Sequence, residues 1–211
     1  MRRRKNIITV AIDSPAAAGA GTQAKYIAQN YNLSYLDTGK IYRYLGNLAI
    51  KRKSLDYHFF KKKINQLNLN KLKGKKLLSD EVAKSASIIA KNKKIRDIVN
   101  FMQRKIISSN KKICVEGRDI ASKILVKNPK YDLAFYFKCN LNEASKRRWY
   151  DLKKSIPLKE IKKSLKTRTM MDKKRKNSPL IKVKDAILIR TDKLNKKQVL
   201  SKMSEHIEKL N

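Results

Sequence analysis

Glycine is scarce in this chain, with 6 in 211 residues, alongside 4 prolines, 2 cysteines, 2 histidines and 1 tryptophan. No stretch is rich in Pro or Gly, so nothing reads as a flexible linker, and no internal repeat is visible. The length fits one α/β domain with a sizeable core. Cys114 and Cys139 lie in the apolar runs KKICVEG and AFYFKCN. They read as buried, reduced thiols without metal-ligand spacing, which excludes a disulfide framework. His58 and His206 are isolated, so there is no Cys/His zinc signature and no paired histidine base. Long apolar runs are missing too: none approaches the roughly 20 residues that span a bilayer. The basic start MRRRKN is followed only by Ile7–Ile12, broken at Asp13 and Pro15, which is too short for a secretory segment. A soluble, cytoplasmic protein is expected.

Acid is the other shortage. Lys and Arg number 53 against 17 Asp and Glu, a net charge of +36. Such a balance favours anionic partners: nucleotides, nucleic acid or a membrane surface. The lysines are scattered, however (Lys51, Lys61–Lys63, Lys91, Lys93, Lys94, Lys173, Lys174), among many Asn and Ile. That is the pattern of solvated faces filled with lysine rather than of a dedicated polyanion site.

What is present alternates between strand and helix signals. Ile7–Ile12 is a continuous apolar run, typical of a strand covered on both faces. Helical spacing follows over Thr22–Tyr31, then a short strand Leu33–Leu36 ending in Asp37, then helical intervals over Ile41–Lys51. Arg52–Lys76 is rich in Lys, Asn and Leu, with one helix over Tyr57–Leu67 and a loop around Lys71–Lys75. Ser79-Asp80-Glu81 reads as a cap plus early acid, opening a helical pattern that continues to about Ser109. Further strand signals lie at Lys112–Glu116, Asp132–Lys138 and Ala186–Arg190, and a last helix at Lys196–Leu210. Strands separated by helices predict a parallel sheet with right-handed crossovers.

In open parallel sheets, ligands sit beyond the carboxyl ends of the strands. The segments found there are Asp13–Thr22, DTGKIYR (Asp37–Arg43) and EGRD (Glu116–Asp119), each polar and glycine-bearing. The first has the layout of a phosphate-binding loop, G-x-x-x-x-G-K-[ST], in which backbone N–H groups wrap phosphates and a lysine reaches their oxygens. Here Ser14 stands at the first glycine and Ala20 at the lysine, while Gly19, Gly21 and Thr22 remain.

Taken together, AIDSPAAAGAGTQAK, YLDTGKIYR, LLSDEVAKSASIIAKNKKIR, VEGRDIAS, NEASKRRWYDL and RTMMDKKRKNSPL resemble the bacterial (d)CMP kinase, or cytidylate kinase, family of nucleoside-monophosphate kinases, in its order and near its spacings. LDTG-x-x-YR followed by EGRD is specific to that family; the phosphate loop alone is not. Adenylate and shikimate kinases are less consistent with EGRD followed by R-x3-D-x2-R.

The resemblance implies a P-loop NTPase-like three-layer α/β/α fold with a five-stranded parallel sheet, a helical NMP-binding region and a short helical lid. The whole chain would be one kinase domain: core about 5–37, 110–140 and 184–211, NMP-binding region about 38–109, lid about 146–178. It implies phosphoryl transfer from ATP with Mg2+ to CMP or dCMP by a monomer, with no dedicated metal ligand beyond the phosphates and Thr22. Ser14, Pro15, Ala16, Ala17, Ala18, Gly19, Ala20, Gly21 and Thr22 would hold ATP phosphates. Arg43 would hold the CMP phosphate beside Thr38. Ser87 and Arg96 would read the cytosine edge, Arg118 the base or phosphate, Asp119 the base, and Asp172 the ribose. Arg147, Arg168 and Arg175 would close on the transferring group, with Arg148 a companion; Arg168, Asp172 and Arg175 fall at helical spacing. Convergent guanidiniums suit phosphate oxygens, which they bind as forks.

The departures have a cost. Ser14 is tolerable only where φ is negative. Without a lysine at 20, one transition-state contact is lost, worth about 3–4 kcal/mol. Three explanations stand: another cation substitutes, with Lys40 preferred over Lys25; the enzyme is slow but sufficient; or the scaffold is a decayed kinase. The alternative to a working enzyme is a basic nucleotide- or RNA-binding protein on a kinase scaffold.

Overall fold

The computed structural model describes residues 8–210. The expected start of the first strand at Ile7 lies outside them. Five strands, β1 (Ile8–Asp13), β2 (Ser34–Asp37), β3 (Lys112–Gly117), β4 (Leu133–Lys138) and β5 (Ile187–Arg190), form one sheet in the order β2-β3-β1-β4-β5. Every pairing is parallel, as expected from the alternation of elements. The chain leaves β1 toward β2 and later returns to place β4 on its other side, so the order reverses at β1. The register puts Asp13 opposite Gly117 and Tyr136, and Asp37 opposite Glu116. The carboxyl ends of the central strands therefore share one rim, where a ligand crevice forms.

The central strands read as largely apolar because both faces are covered, and β1 is buried along its whole length. Ala11, Leu36, Ile113, Val115 and Ala134 join one core cluster with the helices α2 (Thr38–Arg52), α3 (Tyr57–Asn65), α4 (Asp80–Ile89) and α5 (Lys93–Ser108). Val10, Ile12, Cys114, Phe135, Phe137 and Ile189 point the other way, against α1 (Ala20–Asn30) and α8 (Lys196–Glu208). This is the three-layer α/β/α arrangement. A third, smaller cluster (Ala16, Ala144, Ile161, Leu165) fixes α6 (Leu141–Asp151) and α7 (Leu158–Lys173) over the rim.

Three details differ from the sequence reading. The helix expected to run on to Ser109 breaks after Ile89, because Asn92 caps α5 by accepting from Ile95 N–H at 3.2 Å. The loop expected around Lys71–Lys75 is two short 3-10 turns, Leu69–Lys73 and Lys75–Leu78, pinned by buried Leu72 and Leu77. Cys114 is buried, but Cys139, one residue beyond β4, is only half-buried. Among the described residues no helix is long and apolar enough to cross a membrane.

Candidate active site

Two cavities open side by side on the rim, sharing Glu116 and Arg118 as their common wall. The larger, about 610 Å³, is built on the loop between β1 and α1. Ala17 (φ 59°) and Gly19 (φ 89°) supply the left-handed residues that turn the chain into the helix. Ser14 is not among the positive-φ positions, so serine there carries no backbone strain. Gly21 has a different reason: a Cβ would stand 2.8 Å from Glu116 Oε1, so only glycine lets the first turn approach that carboxylate. The first turn of α1 offers backbone N–H groups and the positive end of the helix dipole, a ready anion site. Thr191, just past β5, locks the loop by donating its hydroxyl to Ala18 O at 2.8 Å.

Not every expected residue is there. Ala16 turns away from the cavity into the third core cluster. Lys40 and Lys25, the expected substitute cations, line neither cavity. Asp37 caps α2 by accepting from Lys40 N–H at 3.1 Å, which leaves Lys40 in that helix's first turn, half-exposed. Lys25 lies exposed on α1. Among the described residues, Arg147, Arg118 and Lys196 are the cations on this cavity.

The smaller cavity, about 200 Å³, gathers Thr38, Arg43, Ser87, Arg96, Arg118, Asp119, Arg168, Asp172 and Arg175. Three of its arginines are paired: Arg96 with Asp119 at 2.9 Å, Arg118 with Asp172 at 3.1 Å, and Arg175 with Asp172 at 3.4 Å. Arg43 and Arg168 have no carboxylate partner within ion-pair distance among the described residues. Arg43 donates to the Leu77 carbonyl at 2.8 Å, and the buried Nε of Arg168 has no acceptor. Burial, reinforced by Arg148 and Arg118, pushes Arg43 down to about 10. Burial, with Arg43 and Arg118 adding repulsion, pushes Arg168 down to about 9. Arg175 is lowered by burial and by Arg96. Each stays protonated at neutral pH, so the cavity holds cationic charge in search of an anion. Arg148 lines neither cavity; it donates to the Leu78 carbonyl at 2.5 Å.

At the other end of this cavity, Arg96 lies 5.1 Å over the Tyr42 ring, its Nε on Ala90 O at 3.0 Å and its Nη2 buried without a partner. Across the helix break at Ala90–Asn92, Arg96 and Ser87 line this same cavity, the Ser87 hydroxyl donating to Ala83 O at 3.1 Å. The predicted pair therefore does converge. Arg175 corrects a local expectation: α7 ends at Lys173, so Arg175 is not on the helix with Arg168 and Asp172. The chain folds back after Lys174 and returns its guanidinium to the same cavity.

Residues missed by the sequence reading complete the wall. Glu116 accepts from Tyr35 OH at 2.6 Å, and burial, with Asp37 adding repulsion, raises its carboxyl well above the usual range. Tyr42 lines the smaller cavity with a buried, unpartnered hydroxyl. Asp13 accepts from Ile120 and Ala121 N–H at 2.8 and 2.9 Å, holding the turn that carries Arg118 and Asp119; burial pushes it up to about 7. Applying the strand-end rule to β5 would have found Thr191.

A family model described as cytidylate kinase matches residues 10–209. A cytidylate kinase of Fusobacterium nucleatum subsp. nucleatum is 34% identical, covering 96% of this chain and 98% of its own length. One from Alkaliphilus oremlandii is 32% identical, covering 93% and 95%. Among solved structures, a gluconokinase from Sinorhizobium meliloti 1021 is similar with a TM-score of 0.55 at 6% identity, over 97% of this chain and 98% of that one. A shikimate kinase from Bacteroides thetaiotaomicron gives 0.53 at 9% identity, over 96% and 99%. At such identity these two show the fold alone. The sequence match, nearly end to end, is what decides the family: the chain belongs to the cytidylate kinases.

Proposed function

We propose that the protein transfers the terminal phosphoryl group of ATP to CMP or dCMP, giving ADP and CDP or dCDP. The single observation that carries this reading is the pair of uncompensated guanidiniums, Arg43 and Arg168, in a cavity that shares a wall with a phosphate loop. Two charges without counter-ions suit a monoester phosphate, which carries two negative charges above its second pKa of about 6. Such a dianion attacks without a general base. One of its oxygens bonds to the γ-phosphorus, the bond from that phosphorus to the β–γ bridging oxygen breaks, and the electron pair leaves on ADP.

Positioning and charge compensation do most of the work in such transfers. The loop and the first turn of α1 hold the donor phosphates, and Arg43 and Arg168 hold the acceptor's. Arg118, on the common wall, faces the reaction line between them. Ser87, Arg96 and Asp119 read the cytosine edge, where the unpartnered Nη2 of Arg96 and hydroxyl of Tyr42 await polar atoms. Buried groups of this kind reject a base that leaves them unpaired. Asp172, held by Arg118 and Arg175, faces the ribose. Magnesium would arrive with ATP; the Thr22 hydroxyl, on the cavity that takes the donor phosphates, suits its coordination shell. It would supply charge neutralisation across the donor phosphates. On this reading residues 38–109 form the acceptor-binding region and 146–178 the lid of a single-domain monomer.

ADP release measured with CMP, dCMP, UMP and AMP as acceptors tests the proposal. Turnover highest with CMP or dCMP supports it; no turnover above background with any pyrimidine monophosphate overturns it.

A further inference from the structure

The larger cavity is short of one cation. Ala20 is buried and lines it, offering a methyl group where the loop pattern has an ammonium. Of the cations present, Lys196 is exposed on the first turn of α8. Arg118 is committed toward the other cavity by Asp172 at 3.1 Å and by its own Gly117 carbonyl. Among the described residues it is Arg147 that stands against the loop: its Nη1 is 3.6 Å from where a Cβ on Gly19 would be, one residue before Ala20.

That guanidinium is already positioned. Nε donates to Glu143 Oε1 at 2.9 Å in a partly exposed ion pair, more solvent-screened than that of Arg118 with Asp172. Nη2 donates to Thr191 O at 2.7 Å, and Nη1 to Thr191 Oγ1 at 3.4 Å. Thr191 in turn donates its hydroxyl to Ala18 O at 2.8 Å, so one residue fastens both the loop and the arginine. A guanidinium has five N–H groups. Three are used here, leaving one on each terminal nitrogen for the cavity. A small residue at position 20 also leaves the space that a guanidinium and a phosphate need beside the loop.

We infer that Arg147 takes over the role of the absent loop lysine, supplying from α6 the positive charge that position 20 on α1 does not provide to the donor's terminal phosphates. The cationic contact has been relocated rather than lost. This rests on the donor-pocket reading above and adds to it a dependence peculiar to this chain: positions 20 and 147 are interchangeable sources of one charge. A lysine restored at 20 enters the cavity that Ala20 lines, so it can replace what Arg147 gives.

A four-member cycle tests this: the unaltered chain, Ala20→Lys, Arg147→Met and the double variant, each assayed for CMP phosphorylation, for Mg-ATP affinity by calorimetry and for thermal melting. Arg147→Met is expected to lower kcat about 100–1000-fold and to weaken ATP at least about tenfold, with melting close to the unaltered chain. The double variant recovers at least about tenfold of both relative to Arg147→Met. Arg147→Lys, which cannot keep all three holding bonds, falls between. If Arg147→Met stays within about threefold of the unaltered chain, or if the added lysine rescues neither rate nor ATP affinity, the inference is overturned. Should the unaltered chain fail to phosphorylate CMP, the proposed function falls instead, and the ATP-affinity arm still decides the role of Arg147.

Discussion

Replacing Arg168 with methionine should make the free protein more stable and the enzyme far worse. Arg168 is buried, has no carboxylate partner within ion-pair distance among the described residues, and is repelled by Arg43 and Arg118, which leaves it at about 9. Against an ordinary arginine value above about 12, and at about 1.4 kcal/mol per tenfold change in proton affinity, the folded protein carries on the order of 4 kcal/mol of unrelieved charge there. Methionine keeps the volume of the stem and removes the charge. Relaxation and water entry reduce the visible part; buried ionic groups exchanged for apolar ones of similar size gain about 1–4 kcal/mol. For a chain of this length each kcal/mol moves the midpoint by about 2–4 °C. Calorimetric melting of Arg168→Met without nucleotide should therefore show a midpoint several degrees higher. Adding CMP should raise the midpoint of the unaltered chain and hardly move the variant's, and turnover should fall about 100–1000-fold. A lower midpoint in the free variant, or an undiminished CMP-induced rise, would refute the view that this cavity stores repulsion for a phosphate to relieve.

Three further outcomes are expected. Asp13, at about 7, and Glu116, also raised, hold protons in the folded state that the unfolded chain gives up near pH 4. The folded state thus binds more protons through this window, so stability falls as pH rises from about 4 to about 7. Urea midpoints should be lower at pH 8 than at pH 5, less so in Asp13→Asn; a flat or reversed trend contradicts the assignment. Gly21→Ala meets Glu116 Oε1 at 2.8 Å and should cost about 1–3 kcal/mol by denaturation, whereas Gly74→Ala, with nothing within 4 Å, should be neutral or slightly stabilising. Arg96→Met strands Asp119 in the interior and should destabilise by about 3–5 kcal/mol. Adding Asp119→Leu should recover most of that stability without restoring activity, and equal costs in the single and double variants would dismiss the pair as a buried unit.

The layering was legible because the central strands are short apolar runs and several helices start at a cap the sequence displays: Asp37 before α2, Ser79 before α4. Asn92 is an equally good cap, but inside an unbroken amphipathic pattern it reads as one more polar residue. The convergence of Arg43, Arg96, Arg118, Arg168 and Arg175 was visible as motif fragments at strand ends and helical spacings. What spacing could not provide is the direction of a side chain relative to a loop more than a hundred residues away. Lys40 was the natural substitute by proximity along the chain; Arg147 reaches the loop because Thr191, remote from both in sequence, ties them together. Glu116 was in view as part of EGRD but hidden in role, since its position on the wall between cavities depends on the register of β3 against β1 and β2.

The excess of positive charge and the site draw on different residues for a physical reason. Lys51, Lys61, Lys91, Lys93, Lys94, Lys173 and Lys174 are all exposed, where a strongly hydrated ammonium keeps its water. The cations in the smaller cavity are arginines, with Arg96, Arg168 and Arg175 buried. A guanidinium is more weakly hydrated and meets phosphate as a fork, so it tolerates burial that would drive a lysine toward its neutral form. Surface charges are screened within about 10 Å at 0.1 M salt, whereas buried ones are screened much less from whatever enters the cavity. The lysine-rich surface can therefore vary widely without touching catalysis. On the inference above it is such a guanidinium, Arg147 held by Thr191, that stands beside the loop where the ammonium is missing.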